Sequence, residues 1–187
     1  MGTERDASYY DGKFLATQSY QQHYSLSPYL ALWRFVYFQA IQRFVAPRVL
    51  DLGCGPGQFA DMLREFGVKS YRGLDFSEVA VARGVGLCPD YEFQVRDLRT
   101  LTPSDFAGFD IVSCLETLEH IQEDLSVLSS VPSGLPVVIS VPRKDCESHV
   151  RFFPQKQHVL ERYTPLLSGS SVFLILNRWW VLMGKRK

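Results

Sequence analysis

The stretch Arg48-Val-Leu-Asp-Leu-Gly-Cys-Gly-Pro-Gly57 decides the fold. Its first half is apolar, as a strand buried on both faces must be. Its second half carries glycines that let the backbone turn sharply and approach a ligand closely. Gln58 to Phe66 then reads as a helix, with Phe59, Met62, Leu63 and Phe66 at three-to-four spacing and Gly67 as its stop. Strand, glycine turn and helix in that order predict a ligand site outside the carboxyl end of the strand.

The alternation continues outward. Tyr71 to Phe76 is a second strand, and Ser77 can cap a helix over Glu78 to Arg83 because its hydroxyl satisfies an early free N–H. Tyr91 to Val95, Phe109 to Leu115 and Pro136 to Val141 supply three further strands. Leu118, Ile121, Leu125 and Leu128 form an amphipathic stripe between the fourth and fifth strands, and Gln155 to Arg162 reads as a short helix. Ser171 to Leu176 and Trp179 to Gly184, around Asn177-Arg178, suit a hairpin. The pattern predicts an α/β fold: a doubly wound, mostly parallel sheet covered on both faces, with an antiparallel pair at its end.

Residues 1–46 differ in character. They are rich in aromatics, and Tyr29 to Phe44 fits a helix, which predicts an N-terminal helical lid over a core at 47–187. The 187 residues suit one domain, with 46% hydrophobic and 21% charged residues as in an ordinary globular protein. Lys plus Arg and Asp plus Glu number 20 each. That balance argues against partners gripped through phosphates, whether nucleic acid or an anionic membrane. No stretch approaches the roughly 18 apolar residues of a membrane span, and the first residues lack the apolar core of a secretory signal. Cys54, Cys88, Cys114 and Cys146 form no CxxC pair, so a reduced, cytoplasmic setting is expected.

Asp75 ends the second strand, where a carboxylate can accept both hydroxyls of a ribose, and Asp97, just past the third, can meet an adenine amino group. A dinucleotide favours GxGxxG, with its pyrophosphate on the helix N-terminus. This loop is GxGxG, with Asp51 at the strand tip. An acid there repels phosphate and welcomes an ammonium group, so the electrostatics favour S-adenosylmethionine, a phosphate-free sulfonium with an α-amino group.

Residues 48–142 resemble the class I S-adenosylmethionine-dependent methyltransferases. Val49 to Gly57 matches their first motif, Gly73-Leu-Asp-Phe-Ser77 the second, Arg96-Asp97-Leu98 the third and Phe109 to Glu116 the fourth. The resemblance implies a Rossmann-like seven-stranded sheet whose last strand is antiparallel. It also implies roles: Gly53 and Gly55 at the methionine part, Asp75 at the ribose, Phe76 on the adenine face, Asp97 at the adenine edge and Leu115 by the sulfonium. Cys54 reads as a small buried residue of the motif rather than a nucleophile.

Glu116-Thr-Leu-Glu119-His120 follows the fourth strand. On a helix start Glu116, Glu119 and His120 share one face, so His120 can act as a base oriented by a glutamate. The segment is similar to one in ubiquinone-pathway O-methyltransferases and in small-RNA 3′-terminal 2′-O-methyltransferases. That likeness implies a divalent metal, Mg²⁺, Mn²⁺ or Zn²⁺, on Glu116, Glu119, His120 and a later histidine, for which His149 stands in the right region. Tyr20, Tyr24, Tyr29 and Trp33 are expected to close over the methionine end and shape an acceptor pocket. Arg151 can hold an acidic substrate, or pair with Glu147 or Glu161. The expectation is an enzyme that methylates a small molecule, most readily at oxygen, as a monomer or homodimer. RNA methylation and a non-catalytic binding or partner subunit are the alternatives.

Overall fold

The last three strands set the shape of the sheet. In the computed structural model, which describes residues 2–187, β5 (Pro136–Pro142), β6 (Leu167–Ile175) and β7 (Trp179–Arg186) are joined so that β7 lies between the other two and runs antiparallel to both. β1 (Arg48–Leu52), β2 (Ser70–Asp75), β3 (Glu92–Val95) and β4 (Ile111–Leu115) complete seven strands in the order β3-β2-β1-β4-β5-β7-β6. The predicted Rossmann-like sheet is therefore present, with β7 as its one antiparallel strand. Chain order reverses direction between β1 and β4, and in open α/β sheets that crevice receives the ligand.

The period of two along β1 assigns its neighbours. Val49 faces a layer made by α2 (Leu30–Gln39) and α3 (Gln58–Glu65), through Leu32, Val36, Phe59 and Met62. Leu50 and Leu52 face the opposite layer, where Val127 and Leu128 of α5 (Asp124–Ser130) and Val159 and Tyr163 of α6 (Lys156–Tyr163) pack. α4 (Glu78–Leu87) begins at Ser77, whose Oγ accepts the Ala80 N–H at 3.0 Å, as its sequence predicts.

Three expectations on element boundaries need correction. The lid helix expected over Tyr29 to Phe44 stops at Gln39: Ala40 leaves helical geometry at φ −121°, and only a 3₁₀ turn follows over Ile41–Arg43. The stripe from Leu118 to Leu128 is two pieces, a 3₁₀ turn at Leu118–His120 and then α5. Between them the guanidinium of Arg151 takes the carbonyls of Leu118, Ile121 and Gln122, holding that segment out of a continuous helix. The final hairpin turns on Leu176 and Asn177, at φ 48° and 57°, one residue earlier than expected. Two positive φ values match the twist of the flanking strands, and asparagine tolerates that region.

A helix at α1 (Ala7–Ala16) completes the lid. Asp6 caps it by accepting the Tyr9 N–H at 3.0 Å, and Tyr10 and Phe14, one turn apart, are its buried residues. They pack with Ala80, Phe76 and Tyr20, which seats α1 on α4 at the mouth of the first βα turn.

Gly57 fixes how closely α3 and α4 approach. Its φ is +83°, and a Cβ there would stand 2.8 Å from the Gly84 Cα. Gly67 has a similar φ of +86° with nothing within 4 Å of a built Cβ. Gly67→Ala is expected to cost about 1 kcal/mol through backbone strain alone, and Gly57→Ala about 2–4 kcal/mol through strain plus overpacking. Urea unfolding of the two variants measures the difference, and equal losses would refute the packing role.

Candidate active site

The crevice between β1 and β4 opens into a cavity of about 220 Å³ roofed by α1. Its floor is the first βα turn. Gly53 takes φ +76°, and a Cβ on it would strike the Thr117 side chain at 2.3 Å, so only glycine lets this turn lie against the loop after β4. Asp51, Gly53, Cys54 and Gly55 all line the space. Cys54 is buried, and burial raises its thiol well above the usual value, which agrees with a packing role.

Asp51 is 3% exposed. Ser113 Oγ donates to its Oδ1 at 2.6 Å and Tyr71 Oη to its Oδ2 at 2.7 Å. Burial pushes its carboxyl up to about 6, with the charge of Asp75 adding a smaller push and the two hydroxyls opposing it. Asp75 accepts the N–H groups of Gly55 (2.9 Å) and Ser77 (3.0 Å), so one carboxylate pins the glycine turn to the start of α4. Burial, first among its causes, raises Asp75 as well.

The far end of the cavity is formed by Phe76, Asp97, Leu98 and Arg99. Asp97 lies in the wall as expected, but it is already paired. Arg99 Nε reaches Asp97 Oδ1 at 2.9 Å and Arg99 Nη2 reaches Oδ2 at 2.7 Å, which holds the carboxyl below its ordinary value.

At the other end Leu115, Glu116, Glu119 and His120 meet His149 and the aromatic rings of Tyr20, Tyr29 and Trp33. Glu116 is not on a helix, contrary to the expected shared face: its φ is +54°, and its carboxylate accepts the Ser140 hydroxyl at 2.9 Å. Burial raises Glu116, and burial followed by the Glu116 charge raises Glu119. Both Glu119 oxygens and His149 Nδ1 are buried without a hydrogen-bond partner. His120 Nδ1 lies 2.9 Å from the Ser148 carbonyl, which can only accept, so that nitrogen carries the proton. Nε2 then presents its lone pair 3.7 Å from Glu119 Oε1. Burial pushes His120 down to about 4, which keeps the imidazole neutral at physiological pH.

Ligand atoms of Glu119, His120 and His149 all lie within 4.8 Å of one another. Glu116, expected as a fourth ligand, is outside this group. Two further expectations fail. Tyr24 turns away from the cavity, and its hydroxyl donates to Glu65 Oε2 at 2.6 Å on α3. Arg151 is bound to backbone carbonyls and to Asp124 (3.4 Å), not to Glu147 or Glu161, and it does not reach the cavity. The roof residues Glu4, Arg5, Tyr10, Lys13 and Phe14 were missed as site residues. The signal for them was present: Asp6 as a cap, followed by Tyr10 and Phe14 on one helix face.

A family model described as a methyltransferase domain matches residues 27–181. A ubiquinone biosynthesis O-methyltransferase of Haemophilus ducreyi is 28% identical over 153 residues, covering 70% of this chain and 64% of that protein. The namesake of Neisseria meningitidis serogroup C is 24% identical, covering 61% and 52%. This chain thus spans about half to two thirds of the length of these relatives. Among solved structures, the N-methyltransferase NodS of Bradyrhizobium japonicum, in complex with S-adenosyl-L-homocysteine, superposes with a TM-score of 0.75 at 14% identity, over 97% of this chain and 99% of that one. The [4+2]-cyclase SpnF superposes at 0.74 with 13% identity, over 100% and 99%. At such identities the likeness establishes the fold alone.

Asp51 yields a pH test. Unfolded, this carboxyl ionises near 3.9; folded, it resists ionisation until about 6. The unfolded state therefore binds fewer protons across that interval, and Asp51 costs stability increasingly as pH rises through it, by up to about 3 kcal/mol. Asp51→Asn removes the titration. Its Tm is expected to gain on the parent protein between pH 4 and pH 7 and to hold that gain above; parallel profiles would refute the assignment.

Proposed function

The chain belongs to the methyltransferase-domain family, and from that premise we propose that it transfers the methyl group of S-adenosylmethionine to a hydroxyl of a small molecule. The observation that carries the reading is the acid-lined glycine turn. Asp51 and Asp75, both buried, border the Gly53–Gly55 backbone, an environment that attracts a cationic adenosine derivative and repels a pyrophosphate. The Gly53 and Gly55 turn takes the methionine part, Asp75 the ribose, Phe76 and Leu98 the adenine faces, and Leu115 the sulfonium side. Asp97 reaches the adenine edge while held by Arg99.

Methyl transfer from a sulfonium is an in-line displacement with a neutral leaving group. The protein has to align the nucleophile, exclude water and take a proton. α1 excludes water by roofing the cavity. Tyr20, Tyr29 and Trp33 form apolar walls for a planar acceptor, and Tyr29 stacks on Trp33 at 5.8 Å between ring centroids. His120 Nε2, neutral and fixed by the Ser148 carbonyl, is placed to take the hydroxyl proton. Glu119 Oε1, 3.7 Å from Nε2, is placed beside the imidazolium that forms.

The unpartnered oxygens of Glu119 and the unpartnered His149 Nδ1 fit a divalent cation, and a donor set of one carboxylate and two imidazoles suits Zn²⁺ or Mn²⁺. Glu119, His149 and His120 Nε2 would hold it; when bound it would supply Lewis acidity toward the acceptor oxygen, and His120 would then serve as a ligand in place of a base. Among the described residues no helix is long and apolar enough to cross a membrane. The free thiols of Cys54, Cys88, Cys114 and Cys146 suit a reducing cytoplasm. The even charge balance favours a small acceptor over RNA.

Calorimetry is expected to show S-adenosylhomocysteine binding more tightly than NAD, and the reverse order would overturn the reading. His120→Ala should lower turnover about 10²–10⁴-fold while S-adenosylhomocysteine affinity stays within about threefold. Mn²⁺ titration should reveal one site that His149→Ala abolishes, and unchanged titration would remove the cation from the site.

A further inference from the structure

The cavity is rich in acids, and this poses a charge problem for the ligand assigned to it. S-adenosylmethionine carries a sulfonium and an ammonium, which the acids suit, and also a carboxylate, which they repel. Three cationic side chains line the space: Arg5, Lys13 and Arg99. Arg99 is forked onto Asp97 and reaches Glu4 as well, at 3.2 Å. Arg5 pairs with Glu147 at 3.0 Å. Lys13, in the last turn of α1, has no carboxylate partner among the described residues; the nearest group recorded for its Nζ is the Tyr9 ring, 5.9 Å away.

Lys13 is also at the correct end. Its neighbour Phe14 lies over Gly55, with ring carbons 3.8–3.9 Å from a Cβ built there, so α1 crosses the glycine turn at that point. Lys13 lines the same cavity as the glycine turn, His120 and His149. The adenine end, by contrast, is closed by Glu4 and Arg99. A partly buried lysine that lines the cavity beside the glycine turn, without a carboxylate partner among the described residues, is a binding group whose counter-ion a ligand supplies.

We infer that Lys13 binds a carboxylate in this cavity, and that this is the amino-acid carboxylate of the methyl donor. The inference rests on the proposed cofactor. Docking of the donor then supplies the ion pair that α1 lacks in its absence, so binding of the donor and seating of the roof are coupled through one side chain.

The test compares two ligands on the whole chain. S-adenosylhomocysteine carries the carboxylate, whereas 5′-methylthioadenosine is the same nucleoside thioether without the amino-acid part. Calorimetry on Lys13→Met, which keeps the length of the apolar stem, is expected to show about a tenfold loss for S-adenosylhomocysteine, the scale of one charge-assisted bond, and less than a twofold change for 5′-methylthioadenosine. Lys13→Arg should recover most of the loss. Equal losses for both ligands would reduce Lys13 to a packing residue and overturn the inference. So would unchanged S-adenosylhomocysteine affinity with a raised KM for the acceptor, which would give the carboxylate to the acceptor instead. Failure of the unmodified protein to bind S-adenosylhomocysteine at all would overturn the methyltransferase reading itself.

Discussion

A single buried carboxylate joins the three central strands. Asp51 on β1 receives hydroxyl protons from Tyr71 on β2 and Ser113 on β4, directly beneath the point where the chain reverses its winding. A charge buried this deeply is tolerated only with good hydrogen bonds, and these two tie β1 to both neighbours beside the backbone ladders that pair Asp51 with Gly73 and Ser113. The glycine turn, Asp75 and the loop after β4 lie at the carboxyl ends of the same three strands, where the cavity opens.

The roof is attached by a different kind of bond. Residues 2–6 run over the loops of the site and touch each in turn. Gly2 N–H donates to the His149 carbonyl at 2.8 Å, Glu4 accepts the Gln122 N–H at 2.9 Å, and Arg5 reaches Glu147. Gln58 Nε2, on α3, donates to the carbonyls of Ser19 and Gln22. The floor is held by buried groups within the sheet, and the roof by the Tyr10 and Phe14 cluster together with these polar contacts. Exposed polar contacts of the kind made by Glu4 and Arg5 are the first to open in local fluctuations.

The core strands were legible because burial on both faces writes itself as short apolar runs, and because β1 ends in a turn that only glycine can make. Part of the cavity lining was legible for the same reason: Asp51, Gly53, Gly55, Asp75 and Phe76 lie in sequence beside those strand ends. The opposite end of the cavity was harder to read. Helical periodicity at Leu118, Ile121, Leu125 and Leu128 was real, yet Arg151, distant in sequence, captures the carbonyls that a helix would have used. A tertiary hydrogen bond from another loop leaves no local trace. Tyr24 was misplaced because an aromatic outside a regular pattern carries no information about which neighbour it will meet, and its partner Glu65 is on α3. The first helix was overlooked because its two buried residues, Tyr10 and Phe14, make too narrow a stripe to stand out among so many tyrosines.

The position of β7 between β5 and β6 has a consequence for synthesis. A nascent chain completes β5 and then β6, but β6 has no pairing partner until β7 exists, because it touches the sheet only through that strand. Until then β5 presents Val137, Val138, Ile139 and Val141 along an open margin. The ribosome must therefore deliver β7 before the sheet can close, and the interval between strands five and seven is when this molecule is most exposed to wrong pairing.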